Sequence, residues 1–409
     1  MDGMERPRWF TLLLVAVVLA AAGWQLGGRD PSQRDAGTGR SLPQTAVPQP
    51  GGRYDPAHPL TSSLNWACTP GQGTAALLHD LGPFCLPPDT IRSVDHPRFL
   101  DASRVRFLSP REPVVALAVN GVAKAYPVRI LVWHEIVNDR IGGRPVAVTY
   151  CHLCNTAIVF DRRVQGRTLM FGVSRRLAYG NLILFDRETE TLWQQITGRA
   201  TRGRYVGRRL KIVPSVVQSF GDFRASWPDG LVMTERTGQG RSQYGTDPYA
   251  GYGLHPKIPS LFQFGTPADP RLPPRARVFG VQIGRSTATL VLPRGPGPRS
   301  VSTLRLGGTS IVVLWQYGTG QPGTTSSFAR LSAGWEGAAF RGSVRGQRLQ
   351  MMPTARGFVD RSTGTVFDES GLAISGPLQG RRLTPVLSTT GYWFAWSFFH
   401  PKTSLVRVR

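Results

Sequence analysis

Tyr150-Cys151-His152-Leu153-Cys154-Asn155 lies between two apolar runs, Arg144-Pro-Val-Ala-Val-Thr-Tyr150 and Thr156-Ala-Ile-Val-Phe-Asp161. Both flanks are short, rich in β-branched residues and poor in helix formers. They read as two strands, with the cysteines at the tip where one turns back on the other. Two thiols three residues apart on such a turn can share a metal ion, close a small disulfide ring or act as a redox pair.

Outward from this hairpin the same pattern continues. Pro113 to Val128 holds two strand-like runs around Asn120-Gly121, a strong hairpin signal, and Gly142-Gly143 marks a second turn. Leu169–Val173 and Asn181–Asp186 read as further strands. Val216, Phe220, Phe223 and Trp227 recur at helical steps, so the spacing predicts a helix over Ser215–Trp227 with Ser215 as N-cap.

The chain also resembles itself. Asp186-Arg187 and the residues around it are echoed at Asp360-Arg361. Gly207-Arg-Arg-Leu210 recurs as Gly380-Arg-Arg-Leu383, Ile141-Gly-Gly-Arg matches Leu306-Gly-Gly-Thr, and Pro228 matches Pro401. Ordered matches at nearly constant spacing predict a tandem duplication, residues 111–232 and 275–404, joined by a Tyr/Pro/Gly-rich stretch at 233–274. The fold class expected is mainly β, of the α+β kind, with two antiparallel units each closed by a short helix. The copies are unequal: Gln316 falls opposite Cys151 and Thr319 opposite Cys154, and the segment carrying His134 and Glu135 has no clear counterpart. What the first copy alone carries is the candidate site.

The chain has 409 residues, 41% of them apolar and 18% charged, with 47 glycines and 33 prolines, which suits a turn-rich β protein and disfavours helical bundles. Trp9 to Leu26 runs for eighteen residues without a charge, the lower limit for a membrane-spanning helix. Residues 1–26 read as a signal peptide or a retained anchor, with Trp9 and Trp24 favouring retention. Residues 27–58 read as a flexible tether and 59–110 as an irregular layer against the core. The expectation is a cell-membrane protein with a single N-terminal pass and an extracytoplasmic body, or a secreted one if the segment is cleaved. The net charge of +24 comes almost wholly from scattered arginines. It admits an anionic surface or polymer as partner, but clustering is what marks a nucleic-acid footprint, and export makes nucleic acid an unexpected partner. In an oxidising compartment Cys68 and Cys85 can close a disulfide loop of about seventeen residues, worth roughly 3 kcal/mol.

Cys151 and Cys154 supply half of a tetrahedral site, for which zinc or copper is the candidate metal. His134 and His152 are the nearest further ligands, and Glu135, Asn138 and Tyr249 are candidates for supporting them. Strand alternation sets His134 and Glu135 on opposite faces unless the chain turns there. Asp186-Arg187 recurs in the second copy and reads as structural. Gln243 to Tyr252 is a candidate aromatic wall. No nucleotide-binding loop or Ser/His/Asp arrangement is legible, and Cys-x-x-Cys is not followed by the His of a haem attachment motif.

Tyr126-Pro-Val-Arg-Ile-Leu-Val-Trp-His-Glu-Ile-Val-Asn-Asp139, with Val148 to Asp161, Asp186 to Trp193, Tyr244-Gly-Thr-Asp-Pro-Tyr249 and Phe394 to Pro401, resembles the bacterial and archaeal family of domain of unknown function 3179. The resemblance spans about residues 90 to 404. It implies an exported, often membrane-tethered setting and no established activity. His152 stands where that pattern has Pro, and Asn155 where it has Gly or Asn. The function expected is metal binding through Cys151 and Cys154 with His134. The alternatives are a thiol–disulfide redox protein using the same pair, and a non-catalytic binding module with a structural disulfide.

Overall fold

The structure is a computed structural model that describes residues 88–239, 244–255, 269–292 and 297–408. All of them belong to one compact unit, Gly52–Arg409. The apolar N-terminal segment, the tether, most of the expected irregular layer, and Cys68 and Cys85 lie outside the described residues. Among the described residues no helix is long and apolar enough to cross a membrane.

The described chain is β-rich, with strands joined mostly by tight hairpins. Pro113–Val119 and Val122–Pro127 pair antiparallel around Asn120-Gly121, both with positive φ (49° and 81°), the turn that matches the strands' own twist. Val216–Ser219 joins one edge of this hairpin antiparallel, and Leu231–Met233 joins the other parallel. A second sheet holds Ile136–Ile141, Arg144–Cys151 and Thr156–Asp161, with Ile212–Val213 at its edge. A third holds Phe171–Ala178, Asn181–Asp186, Leu192–Gln194 and Ala200–Arg202.

Residues 277–407 use the same pairing scheme. Leu387–Tyr392 pairs antiparallel with Arg277–Ile283, which pairs antiparallel with Ser286–Val291, which pairs parallel with Ser404–Arg407. Arg299–Leu306, Thr309–Gly320 and Ala333–Arg341 form the next sheet, and the four strands from Met351 to Ser375 the last. The two halves pack on each other through strands that stay paired in their own sheets: Leu387–Tyr392 lies against Thr156–Asp161, and Val216–Ser219 against Thr309–Gly320 and Ala333–Arg341.

Three helices are short. Val128–His134 (α1) takes His134 out of the strand alternation expected around it and Glu135. Val128, Ile130, Leu131 and Val132 are buried together with Arg129 and His134, so the helix is enclosed on nearly all sides and shows no polar stripe. Pro127 leads into it at φ −62°, and Glu135 ends it at φ 57°, where its N–H donates to Leu131 O (2.7 Å). The predicted helix from Ser215 starts later. Val216 and Val217 are taken into the sheet opposite Ala116 and Val115, and Phe220–Ser226 (α2) is capped by Ser219, whose Oγ accepts from Asp222 N. Trp393–Phe399 (α3) follows Leu387–Tyr392 in the same way. Trp393, Phe394 and Trp396 of α3 join Phe171 and Trp193 of the first half in one core, and Cys151 and Cys154 sit within it.

Candidate functional site

The hairpin tip is Cys151 to Thr156, where Cys151 pairs with Thr156 and the turn is completed by Asn155 at φ 52°. Both cysteines are free thiols and both are buried. They point at one acceptor: Gly180 O lies 3.0 Å from Cys154 Sγ and 3.8 Å from Cys151 Sγ. That carbonyl is delivered by the Tyr179-Gly180 turn of the neighbouring sheet, whose two φ values are 47° and 72°. Gln195 locks the tip in place. Its Nε2 donates to Thr149 Oγ1 and Thr156 O, and its Oε1 accepts from Thr156 Oγ1 and Asn181 Nδ2. Burial pushes the Cys154 thiol well above its ordinary range, and the adjacent Cys151 thiol adds to the effect. Cys154 is therefore protonated at neutral pH and is not a preformed thiolate.

On the other side of the tip stands a second group of buried polar residues. Tyr249 stacks on the His152 ring, centroids 3.7 Å apart and planes 20° apart. Glu135 Oε1 lies 3.5 Å from His152 Nδ1. Burial pushes the Glu135 carboxyl up to about 7, opposed by the charge of Arg175. Burial pulls the His152 imidazole down to about 3, and Arg175 adds to it. The contact is thus a carboxyl beside a neutral ring at neutral pH, not an ion pair, and His152 Nδ1 has no hydrogen-bond partner. Arg175 reaches this place because of a β-bulge. The register with Asn181–Asp186 shifts between Ile183 and Leu184, leaving Ser174 and Arg175 extra, with Arg175 at φ 62°.

Two further segments close over the group. Asp247 accepts from Tyr249 N (2.9 Å) and Gly323 N (2.6 Å), tying the 244–252 loop to the long connection after Gly320. Tyr252 Oη donates to Leu153 O (3.1 Å), and Tyr392 N donates to Cys154 O (2.9 Å). Tyr150, His152, Tyr249 and Tyr392 line a small void here.

His134 is not part of this arrangement. Its Nδ1 donates to Arg92 O (2.7 Å), which leaves Nε2 to accept from Tyr244 Oη (2.8 Å). Burial lowers its pKa, so the ring stays neutral. Asn138 is also engaged elsewhere, bonding Asp95 and both backbone groups of Phe171. Arg187 pairs with Asp89 and Asp95, and Asp186 accepts from Trp193 Nε1, roles that belong to the scaffold. A zinc or copper centre needs its ligands around one point. Among the described residues no three of His, Cys, Asp and Glu gather in that way, and with both His134 nitrogens engaged the side chains present do not fit a tetrahedral site.

Of the residues singled out from sequence, Cys151, Cys154, His152, Glu135 and Tyr249 come together at the hairpin tip. Asp247 joins them from the Tyr244–Tyr249 run, and Arg175 and Tyr392 from outside any motif. A family model described as a protein of unknown function, DUF3179, matches residues 88–403. No curated protein and no solved structure matches the chain.

Proposed function

The chain belongs to the DUF3179 family, and we propose that its working element is a Cys151/Cys154 dithiol–disulfide couple with Glu135 as proton acceptor. One observation carries this reading: the two free thiols share a single acceptor, Gly180 O. A two-electron couple needs only the two sulfurs, whereas a metal needs further ligands that do not gather there among the described residues. In the oxidation both S–H bonds break and one S–S bond forms. The two electrons pass to a partner disulfide, whose S–S bond breaks and whose sulfurs take up two protons. The thiolate is the attacking form, and a buried neutral thiol must lose its proton first. A carboxyl near 7, beside the ring of His152, the residue that follows Cys151, is suited to hold that proton.

The setting proposed with it is a body outside the cytoplasm, held by Trp9–Leu26, with an anionic surface or polymer as a candidate partner. The common pairing scheme of the two halves supports a duplicated β unit in which only the first copy keeps the thiols.

The test is equilibration in thiol–disulfide buffers of graded potential, followed by alkylation and mass measurement. One two-electron transition is expected, lost in Cys151→Ser and in Cys154→Ser. The oxidation rate should rise through about pH 7 and lose that rise in Glu135→Gln. Two thiols that stay alkylatable at every potential would sink the reading. Stoichiometric zinc or copper in protein purified without added metal would replace it with a metal-binding one.

A further inference from the structure

The scattering of basic residues along the chain has one exception. Arg199 to Lys211 holds six cations and no carboxylate in thirteen residues: Arg199, Arg202, Arg204, Arg208, Arg209 and Lys211. All six are exposed, and among the described residues none takes part in an ion pair. The loop that carries them is closed by its own backbone. Ala200 N donates to Arg208 O (2.9 Å), Arg208 N to Tyr205 O (2.9 Å) and Leu210 N to Gly198 O (2.8 Å). Tyr205 is buried and packs on Trp193, centroids 5.7 Å apart. Arg199 and Arg209 are bridge partners across the loop; partial burial lowers the Arg209 pKa, and the charge of Arg199 adds to it. Like charges held together without an acid repel one another, a cost that an anionic partner removes.

The second half contains the same turn without most of the charge. Ala373 N donates to Arg381 O (2.8 Å), Arg381 N to Leu378 O (3.0 Å) and Leu383 N to Gly371 O (2.8 Å), each bond at one constant offset from its counterpart. Gly203 and Gly207 (φ 97° and 84°) correspond to Gly376 and Gly380 (93° and 79°). Yet Leu372, Ser375, Pro377 and Thr384 stand where the first loop has Arg199, Arg202, Arg204 and Lys211. The turn forms without those four cations, so its fold does not require them. The tip differs too: Val206, 59% exposed between Arg204 and Arg208, stands where the second loop has Gln379. An apolar tip among arginines matches the two layers of an anionic lipid surface. The guanidiniums meet headgroup phosphates, and the valine meets the boundary of the acyl chains. A soluble polyanion would leave Val206 in water.

We propose that the Arg199–Lys211 loop docks the body onto an anionic lipid bilayer, with Val206 as its apolar contact. This rests on the anionic surface named above as candidate partner and not on the thiols, so Cys151→Ser should dock as the parent does. The test is binding of the full chain to vesicles of phosphatidylcholine alone and of phosphatidylcholine with about a third phosphatidylglycerol. The neutral vesicles measure whatever the apolar N-terminal segment contributes, and the difference measures the charge. Arg199→Leu/Arg202→Ser/Arg204→Pro/Lys211→Thr gives the first loop the residues of the second. At roughly fivefold per cation near such a surface, it should lose at least about a hundredfold in affinity for the anionic vesicles and nothing for the neutral ones. Arg341→Gln/Arg348→Gln/Arg356→Gln/Arg361→Gln removes the same charge from exposed positions elsewhere and should keep most of the affinity. An equal loss in both variants, or equal binding of the parent to both vesicles, overturns the proposal. Binding of the parent to polyphosphate but not to anionic vesicles overturns it in favour of a soluble polymer. If the first variant does not fold, Arg202→Ser/Lys211→Thr should still lose at least about fivefold, and no loss there overturns it as well.

Discussion

The strand ending at Cys151 turns back within four residues, while its counterpart in the second half does not turn back there at all. Thr309–Gly320 runs on past Gln316, and the chain returns only at Ala333. The longer connection does not hang free. It crosses to the stretch that joins the halves, where Gly323 N donates to Asp247 and Gly323 O accepts from Gly253 N. Where Cys151 faces Thr156, Gln316 faces Glu336, and Glu336 is neutralised by Arg277 (2.5 Å) and accepts from Thr390 Oγ1. One scaffold thus supports two different tips. The first holds two buried thiols in an apolar core, and the second buries a charge pair and extends a cover over the first.

The charge pair offers the largest way to break this contrast. Arg277→Met leaves Glu336 buried at 5% exposure with its cation gone, and removing one partner of a buried pair costs about 4 kcal/mol. Urea unfolding should show it, and most of the loss should return in Arg277→Met/Glu336→Gln. A loss below about 1 kcal/mol would mean that the pair behaves as an exposed one and that the second tip is not held by it.

Next in size is the pH response of the first tip. The folded-state pKa of Glu135 is raised from 4.5 to about 7, so its contribution to stability is full below pH 4.5 and lost as pH rises through 7. The shift is worth on the order of 3 kcal/mol. His152 acts in the opposite sense: lowered from 6.5 to about 3, its contribution is present above 6.5 and lost as pH falls toward 3. Glu135→Gln should therefore match the parent in acid and exceed it in stability above about pH 7. Parallel stability curves for parent and variant from pH 5 to 8 would show that Glu135 titrates as an exposed carboxyl does.

What could be read in advance follows the range of the interactions. Hairpins were legible because Asn120-Gly121 and Gly142-Gly143 state their turns locally. The thiol tip and Tyr249 were legible because their residue types are rare and chemically marked. Helix α1 was not, since Val128 to His134 buries Arg129 and His134 along with Val128, Ile130, Leu131 and Val132 and is enclosed on most sides, so periodicity has nothing to report. The role of His134 depends on Tyr244, 110 residues away. Arg175 was invisible because a bulge aims it, and no residue type announces that bulge. The start of α2 was misplaced because a local N-cap signal at Ser215 competes with strand pairing that only the fold reveals.

A smaller effect is expected where the first half's tip meets Leu387–Tyr392 of the second half. Gly391→Ala places a methyl 2.6 Å from Thr156 Cγ2, with Cys154 O at 3.1 Å on the backbone side. Such overpacking costs about 2 kcal/mol. Lifting Leu387–Tyr392 from Cys154 should also speed alkylation of both thiols. Unchanged stability and labelling would mean that the second half does not shield the pair.

The smallest expected effect isolates what Asn155 does at the turn. Its φ of 52° favours glycine, so Asn155→Gly relieves strain worth at most about 1 kcal/mol. Against that, Asn155 Oδ1 accepts from Tyr150 Oη at 2.9 Å, and Tyr150 is buried. A buried hydroxyl left without its partner costs about 1–3 kcal/mol, so the net change should be a destabilisation of about 1 kcal/mol. In a Tyr150→Phe background no hydroxyl remains to satisfy, and the same substitution should become neutral or stabilising. That reversal of sign, measured by a double-mutant cycle in urea, would assign Asn155 to the support of Tyr150 beneath the thiols. The same cost in both backgrounds would instead leave it a turn residue whose side chain matters only to its own backbone.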